Sequence, residues 1–207
     1  GEDSCNTETD GRYLQREAIE ENGSVEAQAI FWVGDNAGGT YLELGDCGDE
    51  IAVNGKVMTA SPGYDNPEGY VASLEPSDTY DFVLSRPEED PYTSTVSNAR
   101  PAVNVTGPND STLSRADAFD VSWEDNDGGD ARVSVSGSCI FGYSEPVQDD
   151  GSHTVAAGSL DATDEDAGES CNAKVIVDRA TAGSMAPAVT GSIQAISRGT
   201  SSFITAP

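Results

Sequence analysis

Hydrophobic residues along this chain recur at every second position. Val25, Ala27, Ala29, Phe31 and Val33 fall on one face of an extended segment, with Glu26 and Gln28 on the other. Tyr70, Ala72 and Leu74 repeat the pattern, as do Tyr80, Phe82 and Leu84. A period of two is that of a strand with one buried face, so each run predicts a strand. Asn54-Gly55 stands between Ile51-Ala52-Val53 and Val57-Met58 and predicts a two-residue hairpin. The second half uses the same pattern at Phe119, Val121 and Trp123, at Val133 and Val135 ahead of Cys139, at Ala173, Val175 and Val177, and at Ile193 and Ala195. One stretch, Leu14 to Glu21, also fits a helix, because Arg16 and Glu20 stand four apart; it reads equally as a strand running into an Asn22-Gly23 turn. The expected fold class is all-β: two tandem antiparallel β-sandwich domains of immunoglobulin-like kind, each with one disulfide.

A chain of 207 residues suits two domains of about 100 residues each. Prolines and a glycine between Pro101 and Pro108 mark a seam, which gives expected domains at 1–102 and 103–207. The four cysteines fall two and two across it. Of the three connectivities open to them, Cys5–Cys47 with Cys139–Cys171 is the simplest, because each bridge then stays within one domain. Such bridges belong outside a reducing cytosol. A metal site built on the cysteines needs a close pair such as C-x-x-C, and the chain has none.

The charge sharpens the picture. Against 10 basic residues stand 37 acidic ones, a net charge of -27, with acids in both halves. That surface repels nucleic-acid phosphates and anionic lipid headgroups, and leaves basic proteins and cations as partners. Lysine occurs only as Lys56 and Lys174. An acid-rich, lysine-poor exterior suits a saline habitat, and equally keeps a protein monomeric at any salinity. No apolar run approaches the roughly 20 residues that cross a bilayer, so no transmembrane segment is expected. A start at Gly1 rather than methionine fits a removed signal peptide and leaves room for a lipid anchor ahead of it.

Candidate chemistry is sparse. His153 is the one histidine, in a turn entering a strand, and no Gly-x-Ser-x-Gly elbow accompanies it. A solvated strand-edge histidine is the expectation. Acids are so common that no catalytic pair stands out for glycoside hydrolysis. Calcium is the most credible ligand. Asp125, Asp127 and Asp130 in one loop, and Asp161, Asp164 and Asp166 in another, offer the closely spaced oxygens that calcium takes six to eight at a time. Neither loop matches the D-x-[DN]-x-[DN]-G pattern with its distal glutamate. Trp123 is expected as a core plug beside Cys139. Phe31 and Trp32 are adjacent and so point to opposite strand faces; one must be in the core, and for the other two readings stay open, burial or a half-exposed contact role toward a partner or a sugar. Asn22, Asn104 and Asn109 open Asn-x-Ser/Thr triplets, which bear on structure only in a source that glycosylates secreted proteins.

Phe119-Asp-Val-Ser-Trp123, Val133-Ser-Val-Ser-Gly-Ser-Cys-Ile140, Asp150-Gly-Ser-His-Thr-Val155, Val175-Ile-Val-Asp-Arg179 and Gly191-Ser-Ile-Gln-Ala195 follow one another in a recognisable order. So do Thr40-Tyr-Leu-Glu-Leu44, Tyr80-Asp-Phe-Val-Leu-Ser-Arg-Pro87 and the ending Phe203-Ile-Thr-Ala-Pro207. In this the chain resembles uncharacterised secreted proteins and lipoproteins of Gram-negative, often marine, bacteria. The resemblance rests on strand patterns and implies an envelope or extracellular location, with no defined activity. The leading expectation is a non-enzymatic cell-surface or extracellular-matrix protein whose sheet faces and loops contact other envelope proteins. A subunit of a filament assembled by strand exchange between copies of the chain, and a calcium- or carbohydrate-binding module, are the alternatives.

Overall fold

In the computed structural model, residues 2–45, 47–61, 69–124, 127–163 and 168–207 are described. Among them the chain is all-β, with no α-helix and two single-turn 3-10 segments, Ser4–Asn6 and Thr9–Gly11. Both expected disulfides are present, Cys5–Cys47 and Cys139–Cys171, with Cα atoms 5.7 and 5.8 Å apart. Closing loops of 42 and 32 residues, each stabilises by about 4 kcal/mol through the lost entropy of the unfolded chain.

The stretch that also fitted a helix is the strand Arg12–Glu21. Its inward residues Arg12, Leu14, Arg16 and Ala18 alternate with half-buried ones. It turns at Asn22 and Gly23, both at positive φ (53° and 77°), into Ser24–Val33 with an unbroken antiparallel register. Two central residues at positive φ are what a tight hairpin requires, and Asn-Gly supplies them at least steric cost.

The chain divides into two compact units, residues 1–99 with 181–196 and residues 100–180 with 197–207. In the first, Ser24–Val33 lies between Arg12–Glu21 and Gly69–Leu74, and Thr59–Ser61 adds the edge. The other sheet of this unit runs Tyr92–Ser97, Thr79–Ser85, Glu50–Val53, Lys56–Val57. Leu14, Ala27 and Phe31 from one sheet share a core with Ile51, Tyr80, Phe82 and Leu84 from the other. That packing is consistent with a β-sandwich. Ile193 and Ala195 complete the same core, which explains why 181–196 belongs to this unit.

The second unit sets Tyr143–Gln148, Asp130–Gly137 and Cys171–Ala182 side by side in antiparallel register. Asn104–Val105, Phe119–Glu124 and Ser152–Val155 form its other sheet. Val121, Trp123, Val133, Val135, Val175, Val177 and Phe203 fill the core, and Cys139 lies among them.

Candidate functional site

The two loops proposed for calcium are only partly within the described residues: Asp125, Asp164 and Asp166 lie outside them. Asp127 is held by a cation of the chain itself. Arg100 Nε donates to its Oδ2 at 2.8 Å and Arg100 Nη2 grips Oδ1, while the Gly129 amide donates to Oδ1 at 2.9 Å. The guanidinium, first among these partners, holds the Asp127 carboxyl far below the usual carboxylate range. Asp130 gives Arg100 its backbone carbonyl and leaves its side chain exposed. Asp161 is likewise exposed and accepts the Phe141 amide through its backbone, at 2.8 Å.

Beneath Asp127 lies an acid that the sequence left inside a turn. Asp149 is fully buried. Its Oδ1 accepts from Trp123 Nε1 at 2.6 Å, and its Oδ2 accepts from Arg179 Nε at 2.8 Å and Arg100 Nη2 at 3.0 Å. Arg179, also fully buried, donates further to the carbonyls of Pro101, Ala102 and Glu124 at 3.1–3.2 Å. One carboxylate and two guanidinia thus fix the segment 100–102 and the end of the strand Phe119–Glu124. Trp123 is in the core with Cys139, as expected, and also joins this network by its indole N–H.

Of the two readings left open for the pair Phe31 and Trp32, burial of both holds and the half-exposed contact role does not. They do point to opposite faces, but both are buried, Phe31 completely and Trp32 to 5% exposure. Trp32 lies between Tyr13 and Tyr41, with ring centroids 5.9 and 5.8 Å away. The strand Ser24–Val33 has neighbours on both sides, and the Tyr41 ring adds cover on the outer face, so Trp32 has no free face to stack on a sugar.

In the first unit a second buried acid, Asp49, accepts from Arg12 Nη1 at 3.1 Å and Arg86 Nε at 3.2 Å. Burial pushes its carboxyl up, but hydrogen bonds from Ser4, Arg12 and Arg86 outweigh that and hold it below its ordinary value. Arg12 also donates to the carbonyls of Ser4 and Thr7, which pins the segment that carries Cys5. Nearby Glu89 accepts from Tyr92 at 2.7 Å and Thr9 at 3.2 Å. Glu89, Asp90, Pro91, Tyr92, Ala186 and Pro187 line an open groove of 480 Å³. Two acids share that lining with an aromatic ring and aliphatic residues, which suits an extended basic segment better than an anion.

These contacts redistribute the charge. Arg12, Arg16 and Arg179 are fully buried and Arg115 is 6% exposed. The side chains of Arg86 and Arg100 are 11% and 13% exposed, and Arg198 is paired with Asp178 at 2.7 Å. Only Lys56, Arg132 and Lys174 stand on the exposed surface. The exterior is therefore more acidic than the composition implies, because most of the cations work inside. His153 also departs from expectation: its side chain is 16% exposed and rests against Tyr143 rather than standing in water. No protein-family model matches the chain, and no curated protein matches it.

Proposed function

We propose that this is a non-enzymatic extracytoplasmic protein of the outer cell surface or extracellular matrix, made of two tandem immunoglobulin-like sandwiches, that works by contact with basic surfaces of other envelope proteins. The observation that carries the reading is the partition of charge. Seven of the eight arginines are buried, mostly buried or paired within the fold, while most of the described acids stay outside, Asp49 and Asp149 excepted. A surface of one sign attracts partners of the other and steers their approach. The acidic groove at Glu89, Asp90 and Tyr92 is a concave part of that surface. Two disulfides support a location outside a reducing compartment, and a lipid anchor ahead of residue 1 belongs to the same proposal.

Strand exchange into a filament has one sheet edge working against it. The edge strand Tyr143–Gln148 carries Glu145 and Pro146, a charge and a residue without an amide hydrogen, and both oppose the addition of another strand. The test is retention of native envelope proteins on the immobilised full chain. Basic partners are expected to bind at low salt, to elute at high salt, and to bind less to the Glu89→Gln, Asp90→Asn double variant. Equal retention by the variant, or partners indifferent to salt, would sink the reading.

A further inference from the structure

We propose that Tyr143, Glu145 and His153 form a binding site for a divalent first-row transition-metal ion, of the class of Cu²⁺ or Zn²⁺. Tyr143 and Glu145 stand two apart on the edge strand Tyr143–Gln148, so their side chains leave the same face. The chain turns through 149–151 and re-enters as the strand Ser152–Val155, which returns His153 to them. Tyr143 Oη lies 2.9 Å from His153 Nε2 and 2.5 Å from Glu145 Oε2, and His153 Nε2 lies 3.5 Å from Glu145 Oε2. An octahedron with metal–ligand bonds of about 2.1 Å has edges of about 3 Å. The three separations bracket that length, so one ion can reach all three atoms after shifts of a few tenths of an ångström.

The donor set chooses the ion. One imidazole nitrogen with two oxygens suits zinc and copper, whereas calcium and magnesium take oxygen alone. The site is distinct from the aspartate loops, and it is open on one side: the Glu145 side chain is 52% exposed and that of His153 16%, so water can complete the coordination. The rings of Tyr143 and His153 stack at 25° between planes, which fixes both ligand atoms before any ion arrives. The acidic exterior raises the local concentration of cations.

The protons can be followed. Tyr143 has one hydroxyl hydrogen and gives it to Glu145, so His153 Nε2 must carry the hydrogen that points at the phenol oxygen. On binding, the phenol proton leaves to solvent, and the imidazole exchanges its Nε2 hydrogen for one on Nδ1 through solvent, so that the neutral ring offers Nε2 as a ligand.

The experiment titrates Cu²⁺ alone, then Zn²⁺ alone, into the full chain with calcium in excess, by calorimetry and visible absorption. One equivalent is expected to bind, and Cu²⁺ is expected to develop a phenolate-to-copper charge-transfer band that Tyr143→Phe abolishes. His153→Gln is expected to weaken binding by more than about 100-fold, since even the outer partners of metal ligands are worth about 10- to 100-fold. Should that variant fold poorly, Glu145→Gln serves, because it changes an exposed side chain by one atom; it is expected to cost at least about tenfold. No stoichiometric binding by the parent chain, no visible band, or binding unchanged in His153→Gln or Glu145→Gln overturns the proposal.

Discussion

Arg16 and Arg179 are both fully buried, and they are in opposite situations. Arg179 donates from three nitrogens to Asp149 and to three backbone carbonyls. Arg16 reaches only the Met185 sulfur, at 3.4 Å, and its Nε and Nη1 meet no partner among the described residues. Burial alone pulls the Arg16 guanidinium down to about 10, so it is still charged at neutral pH. A buried charge without a counter-ion costs several kcal/mol, whereas removing one member of a buried pair strands the other. The two substitutions should therefore move stability in opposite directions. Arg179→Met is expected to destabilise by about 3–5 kcal/mol, since it strips Asp149 and three backbone carbonyls of their buried donor and leaves Asp149 only Arg100 and Trp123, and Arg16→Met to stabilise by about 1–4 kcal/mol. Urea unfolding of the two variants beside the parent chain measures both; a loss of stability in Arg16→Met would show that this arginine is compensated in the fold.

The strands with one buried face were legible, because the period-two pattern at Val25 to Phe31 or Phe119 to Trp123 records that face directly, whereas Tyr143–Gln148, which buries no residue, left no such pattern. The ambiguous segment from Leu14 was harder. Two inward positions of the strand it belongs to, Arg12–Glu21, hold Arg12 and Arg16, which a hydrophobic pattern counts as outward. The same blindness hid the networks at Asp149 and Asp49, since a buried acid and a solvated one are the same letter until the arginine that meets it, 30 or 37 residues away, is placed in space. Punctuation by glycine and proline marks the first passage of the chain between units. It is silent at 180 and 196, which fall inside the strands Cys171–Ala182 and Thr190–Ala206. Where the final strand begins, a glycine does carry information. Gly191 has φ 150°, and a Cβ there would collide with the Leu14 carbonyl. This close approach seats the start of that strand, residues 190–196, beside Arg12–Glu21 in the first unit. Gly191→Ala must push the backbones apart and is expected to cost about 1–3 kcal/mol, the usual range for overpacking. A thermal midpoint unchanged from the parent would refute the fit.

At the scale of the molecule two electrostatic effects oppose each other, and pH separates them. The net charge of -27 at pH 7 lies outside a fold that keeps most of its cations within, so the compact state repels itself. Lowering the pH toward the isoelectric point near 4.1 protonates exposed acids and relieves that repulsion. Asp49 and Asp127 act the other way. Burial opposes the charge of Asp49, but its hydrogen bonds prevail; for Asp127 the Arg100 guanidinium dominates, and both carboxyls end below their ordinary value of 3.8. Because the folded chain holds these two protons less tightly than the unfolded chain, their stabilisation is fully present above 3.8 and is lost as pH falls below it. Stability at low salt should therefore rise from pH 7 to a maximum between about 4 and 5 and then drop. Salt should act only where repulsion does. At pH 7, going from 0.01 to 1 M sodium chloride shortens the screening length from about 30 to about 3 Å. A relief of about 2 kcal/mol would then raise the melting temperature by about 4–8 °C in a chain of this size, and near pH 4 the same salt should change it little. Melting curves across pH at the two salt concentrations test both effects: a midpoint that falls steadily from pH 7 to pH 4 at low salt would mean that the acidic exterior does not strain the fold.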